Sequence, residues 1–112
     1  METPVDDFER EVLGAVIGRT PVADALRAQA AHATVVRREA DAGSLTTYFC
    51  VPADSPRIDP PELTTGGSVR VEGLAGAAYA EITIHNGWLD SLMVSAAGEP
   101  WPTTPRVAAP GA

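Results

Sequence analysis

The chain has no lysine, one cysteine, two histidines and 5% aromatic residues among 112. A single cysteine excludes an internal disulfide, and one cysteine with two histidines leaves too few soft ligands for a structural zinc site. Eight arginines against fifteen acids give a formal net charge of −7. Nucleic acid and anionic membrane surfaces both call for a basic face, so neither is an expected partner. No apolar run approaches the roughly 18–20 residues of a membrane span. The acidic start, Met1 to Asp7, has neither the basic nor the apolar region of a secretory leader, so a cytoplasmic location is expected. Ser91 and Ser95 lack a Gly-x-Ser-x-Gly elbow, and Gly73-Leu74-Ala75-Gly76 lacks the third glycine of a dinucleotide loop. With no Walker sequence and no His-Glu-x-x-His, no cofactor and no metal are expected.

What is present is ordinary globular material: 45% hydrophobic and 21% charged residues. That is one domain's worth of chain, able to bury roughly 60–70% of its unfolded surface. Residues 1–102 read as a single α+β domain and 103–112 as a Pro-rich tail without an apolar period.

The front is helical. Thr3-Pro4 reads as the opening of the first helix, with Asp6 and Asp7 in its electropositive first turn. Val5, Phe8, Val12 and Val16, flanked by Leu13 and Ile17, form a stripe at helical spacing. Gly18 reads as its end. Thr20-Pro21 repeats the opening, followed by a shallower stripe of Val22, Ala25, Leu26 and Ala30, and His32 closes the helix where an imidazole suits the dipole. The short link makes the two helices an antiparallel hairpin.

From Thr34 the period changes to that of strands. Thr34 to Ala40 and Leu45 to Val51 flank Asp41-Ala42-Gly43-Ser44, a hairpin pattern. Ser68 to Glu72 alternates, with Val69 and Val71 on one face. Ala77 to His85 and Trp88 to Ala96 flank Asn86-Gly87, the favoured type I′ turn pair. The sixteen residues between Val51 and Ser68 contain four prolines. Within them Asp59-Pro60-Pro61-Glu62-Leu63 reads as a capped helical turn ended by Gly66-Gly67. The expected fold is α+β: the helical hairpin on an antiparallel, mostly meandering sheet of about five strands. A cone-like sheet curved around a helix is the alternative.

A two-residue Asn86-Gly87 turn sets His85 opposite Trp88, Ile84 opposite Leu89, Thr83 opposite Asp90 and Glu81 opposite Leu92. One face then carries Ala80, Ile82, Ile84, Leu89 and Met93, a core pattern. The other carries Tyr79, Glu81, Thr83, His85, Trp88, Asp90, Leu92 and Val94, where a site would sit. Asp90 lies diagonally from His85, and a histidine held by a carboxylate is the usual general base near neutral pH. A solvated sheet face with ordinary charges explains the same residues. A bulge near Asp90 would change the pairing. Cys50, mid-strand with no histidine or basic residue near it in sequence, reads as a small buried hydrophobe and not a nucleophile. In Gly98-Glu99-Pro100-Trp101-Pro102 two prolines stiffen the chain around an indole that either caps the core or anchors a partner.

Phe49-Cys50-Val51-Pro52, then Gly87-Trp88-Leu89-Asp90-Ser91-Leu92 and the closing Gly98-Glu99-Pro100-Trp101-Pro102 together resemble a group of small bacterial proteins. In these a final β-hairpin runs into a Glu-Pro-Trp-Pro-like end. The resemblance covers roughly residues 45–102 and implies an α+β fold with a helical N-terminus. It brings no activity, and Met93-Val94-Ser95 stands where that pattern has an acidic and aromatic pair.

Two functional readings follow. The first is a non-enzymatic binding or protein-interaction module, using Tyr79, Trp88 and Trp101 as contacts, with a basic protein or a second copy as partner. The alternative is a small pocket enzyme or ligand carrier with His85 as acid/base group, oriented by Asp90 or Glu81.

Overall fold

A computed structural model describes residues 3–18, 20, 22–96, 98–102 and 105–107. Strand β1 (Thr3–Pro4) leads into helices α1 (Asp7–Ile17) and α2 (Ala23–His32). Strands β2 (Thr34–Ala40), β3 (Ser44–Cys50), β4 (Leu63–Val69), β5 (Ala78–His85) and β6 (Trp88–Ala96) follow. All pairings are antiparallel, in the order β1-β2-β3-β6-β5-β4. Two meanders, β2–β3 and β4–β5–β6, therefore meet along the β3–β6 seam. The α+β architecture is as expected, with six strands among the described residues instead of about five because Thr3–Pro4 pairs with β2.

That pairing also moves the helix start. Asp6, not Thr3, caps α1, and Glu9 completes a capping box: the Glu9 N–H donates to Asp6 Oδ1 at 2.8 Å and the Asp6 N–H to Glu9 Oε1 at 2.9 Å. Asp followed three residues later by Glu satisfies two orphan helix donors at once, which Thr3 cannot match. The second helix likewise starts later, after Val22, without a side-chain cap. Thr20 is buried instead of capping, and Pro21 lies outside the described residues.

Both helices pack on one face of the sheet. α1 lies against β4 and β5, and α2 against β6. Phe8, Val12, Leu13, Val16, Ile17 and Leu26 meet Ala78, Ala80, Ile82, Ile84, Leu92 and Val94 in a single core. Along β5 the pleat alternates buried Ala78, Ala80, Ile82 and Ile84 with less buried Tyr79, Glu81, Thr83 and His85.

On β6 the expected faces change partway. The Asn86-Gly87 turn is present, with φ of 53° and 82°, and His85 faces Trp88 and Ile84 faces Leu89 as expected. The register then shifts, so that Thr83 faces Ser91 and Glu81 faces Met93. Asp90 is the extra residue of a β-bulge. Beyond it Leu92 and Val94 turn inward, each 1% exposed, and Met93 turns outward. Burial decides this: the bulge places two branched apolar side chains in the core where an unbroken strand would place one methionine.

The Pro-rich segment is not helical at residues 59–63. Pro60 and Pro61 have no N–H, the Pro61 carbonyl accepts from the Gly87 N–H at 2.9 Å, and Glu62 binds elsewhere. The strand expected at Ser68 to Glu72 begins earlier, at Leu63, and takes Gly66 and Gly67 into its interior. Gly66 is tolerated there because the Tyr79 ring lies over it: a Cβ at residue 66 would come within 2.7 Å of the Tyr79 hydroxyl. Residues 103, 104 and 108–112 of the tail lie outside the described residues, while Val107 bridges Val71.

Candidate functional site

Among the described residues no helix lies on the outer face of the sheet, and the registers order its side chains into rows. Arg37, Tyr48, Ser91, Thr83 and Thr64 form one row. Glu39, Thr46, Met93, Glu81 and Gly66 form the next, and Ser44, Ser95, Tyr79 and Ser68 the third. Tyr48, Met93 and Tyr79 thus run diagonally across a hydroxyl-rich surface. The Arg37 guanidinium sits 4.1 Å from the Tyr48 ring centroid, and Tyr79 is 45% exposed. Tyr79 Oη donates to Glu81 Oε2 at 3.3 Å.

At one end of this face the β5–β6 turn meets the Pro-rich segment. His85 Nδ1 lies 3.0 Å from Glu62 Oε2, and the Asn86 N–H donates to Glu62 Oε1 at 3.1 Å. Asn86 Nδ2 lies 3.3 Å from His85 Nε2. The network assigns the proton of neutral His85 to Nδ1, donated to Glu62, while Nε2 accepts from the Asn86 amide. The Asn86 N–H and then His85 hold the Glu62 carboxyl below the usual carboxylate range. Both members are well exposed, 62% and 59%.

His85, Trp88 and Asp90 line a shallow cleft of about 330 Å³ together with Val51 and Cys50, which is exposed and not buried as expected, because it stands at the very end of β3. The carboxylate on the imidazole is nevertheless that of Glu62. Glu81 lies four residues along β5 and is engaged by Tyr79. The Arg57 guanidinium stacks 5.2 Å from the Trp88 ring centroid and binds the Asn86 carbonyl. Arithmetic on β4 would have found Glu62: Leu63 opposite Ile84 sets residue 62 opposite 85.

Trp101 is distant from that cleft. Its ring meets Phe8 edge-on, centroids 5.8 Å apart at 70°, and its N–H donates to the Ala42 carbonyl at 3.3 Å through the backbone. Glu99 fixes this segment by accepting from the backbone N–H groups of Ala75 (2.8 Å) and Gly76 (3.0 Å), which lower its carboxyl pKa. Tyr79, Trp88 and Trp101, the three expected contacts, thus occupy three separate neighbourhoods.

Two features were not legible beforehand. A groove of about 410 Å³ runs between α1, α2 and β1, lined mainly by Val5, Leu13, Gly14, Ile17, Ala30 and Ala33, with Arg10 and Arg27 at its sides. Each arginine is engaged by an acid of its own helix, Arg10 by Asp7 and Arg27 by Asp24. Buried Glu9, 1% exposed, accepts from Arg38 Nε and Nη2, both at 2.8 Å, and from Thr47 Oγ1 at 2.7 Å. Burial raises the Glu9 pKa, but the hydrogen bonds from Arg38, Asp6 and Thr47 outweigh it and leave the group lowered. This triad ties α1 to β2 and β3. Among the described residues no group of three or more potential metal ligands converges, and no helix is long and apolar enough to cross a membrane.

No family model, curated protein or solved structure matches the chain.

Proposed function

We propose that this chain is a small non-enzymatic protein-interaction module whose contact surface is the outer face of the sheet. The observation that carries the reading is the one-sided packing: both helices cover the inner face, and the outer face is left with Tyr48, Tyr79 and Met93 among serines and threonines. Tyrosine, methionine and arginine are the residue types enriched in protein interfaces. Glu39 and Glu81 give this face acidic points, and the net charge of −7 adds long-range attraction for a basic protein partner.

The alternative, acid/base chemistry at His85, is weakened by the imidazole's own contacts. Glu62 and Asn86 occupy both ring nitrogens, so a substrate would have to displace one of them. Capture of a basic protein by immobilised chain, compared between wild type, Tyr48→Ala/Met93→Ala and His85→Ala, separates the two. The expected result is retention by wild type and by His85→Ala and loss with the outer-face pair. Equal retention by all three overturns the assignment of the surface.

A further inference from the structure

The groove between α1, α2 and β1 combines an apolar floor with charge of one sign. Leu13 and Ile17, each 3% exposed, line it from α1, and Ala30 and Ala33 line it from the end of α2. Its volume of about 410 Å³ falls at the lower end of the range of small-molecule sites. Such sites span about 300–1,000 Å³ and are mostly apolar with a few placed polar groups. The charged residues lining it are Arg10 and Arg27, with no acid among them, in a chain of fifteen acids and eight arginines. Arg10 shares the face of α1 that carries Leu13, Gly14 and Ile17, and Arg27 shares the face of α2 that carries Ala30. Arg10 Nη2 donates to the Val5 carbonyl at 3.2 Å, which keeps that guanidinium beside the groove. Arg10 Nη1 lies 3.1 Å from Asp7 Oδ1 and Arg27 Nη1 lies 3.4 Å from Asp24 Oδ1. Both pairs are exposed and therefore weak, and each guanidinium offers five N–H donors, more than these contacts use.

We propose that this groove binds a free, unbranched fatty carboxylate of medium chain length. The alkyl chain covers Leu13 and Ile17, and the carboxylate meets Arg10 and Arg27. Affinity then comes from the apolar area removed from water. The choice of head group comes from charge-assisted hydrogen bonds, which favour an anion over an alcohol of the same length. Gly14 stands on the groove wall between the two arginines' helices. A Cβ at residue 14 would meet nothing within 4 Å, and the residue lies inside α1 with ordinary helical backbone. Neither close packing nor conformation calls for glycine there, and glycine weakens a helix interior. What its missing side chain provides is room in the groove. A free carboxylate fits better than an anionic bilayer, because the net charge of −7 opposes approach to such a surface. The groove belongs to the helical layer, on the other side of the sheet from the outer face, so either reading survives failure of the other.

Isothermal titration calorimetry of the full chain with decanoate tests it, below the micelle concentration and at mildly alkaline pH, where the carboxyl is ionised. Circular dichroism verifies that each variant folds. Wild type is expected to bind a single equivalent of decanoate saturably. Decanol lacks the charge and butyrate lacks the chain, so each is expected to bind about tenfold more weakly or worse. Arg10→Gln/Arg27→Gln is expected to lower decanoate affinity to that of decanol and to leave decanol binding unchanged. Gly14→Leu fills the groove with a residue that favours the helix, and is expected to abolish binding of both ligands while the fold is kept. No saturable binding by wild type, equal affinity for decanoate and decanol, or decanoate binding retained in full by either variant overturns the proposal. So does binding to phosphatidylglycerol vesicles by a chain that ignores decanoate, which would give the groove to a membrane surface.

Discussion

Gln29 Oε1 accepts the Leu89 N–H at 2.7 Å, sixty residues away along the chain. The same side chain donates through Nε2 to the Gly87 carbonyl at 2.9 Å and to the Pro56 carbonyl at 2.7 Å. One fully buried amide thus holds α2, the Pro-rich segment and the β5–β6 turn together. The Ile58 N–H shares the Gly87 carbonyl at 2.9 Å, so the turn that carries His85 and Trp88 is anchored from behind. Removing the amide leaves buried backbone groups unsatisfied at about 1–3 kcal/mol each. Gln29→Ala is expected to lower stability by roughly 3 kcal/mol in urea denaturation. A loss below about 1 kcal/mol would show that water or rearrangement takes over the bonds.

Arg38→Ala leaves Glu9 buried without its guanidinium partner, and breaking a buried pair in this way costs about 3–5 kcal/mol. The sign of the pH dependence follows from the lowered Glu9 pKa. Its contribution is complete above the unfolded value, near about 4.3, and is lost as pH falls through the lower folded value. Wild-type stability is therefore expected to fall on acidification through that window, and Glu9→Gln is expected to flatten this part of the profile. Parallel profiles would remove Glu9 from the acid limb.

The bulge at Asp90 makes neighbouring residues unequal. Leu92→Ala is expected to cost about 2–5 kcal/mol, as for other buried leucines, whereas Met93→Ala on the outer face is expected to cost under about 1 kcal/mol. Comparable losses, or the reverse order, would restore the unbroken register that places Met93 in the core.

Glu62 is held below the carboxylate range by the Asn86 N–H first and His85 second. In His85→Ala the second contribution disappears, and the Glu62 titration midpoint, followed by carboxyl carbon NMR, is expected to rise part of the way back. No movement would mean that the His85 contact is not formed in solution.

How much of this was legible follows from where each signal resides. The stripes Phe8-Val12-Val16 and Val22-Leu26-Ala30 are local and periodic, and both became helices facing the core. Asn86-Gly87 specifies its turn through backbone φ alone, so that hairpin was readable to Leu89. Past it, an unbroken strand would bury Met93 and a bulged one Leu92 and Val94; both patterns alternate, and only packing against the helices chooses between them. β4 was hidden because Thr64-Thr65-Gly66-Gly67 has weak strand propensity and depends on the Tyr79 ring from the next strand. The Glu62–His85 pair was hidden with it. Gln29 sits three residues from Leu26 on the buried stripe, but its partners lie in distant backbone, which no spacing reveals.

The central claim is that the outer face, not the helical layer, meets a partner. A photo-crosslinking side chain at Thr83, in the row of Tyr48 and Ser91, and another at Ala31, on the exposed side of α2, tests it directly in a mixture with the captured basic protein. The account predicts a crosslinked species from residue 83 and none from residue 31. Crosslinking from residue 31 alone, or equally from both, would contradict it.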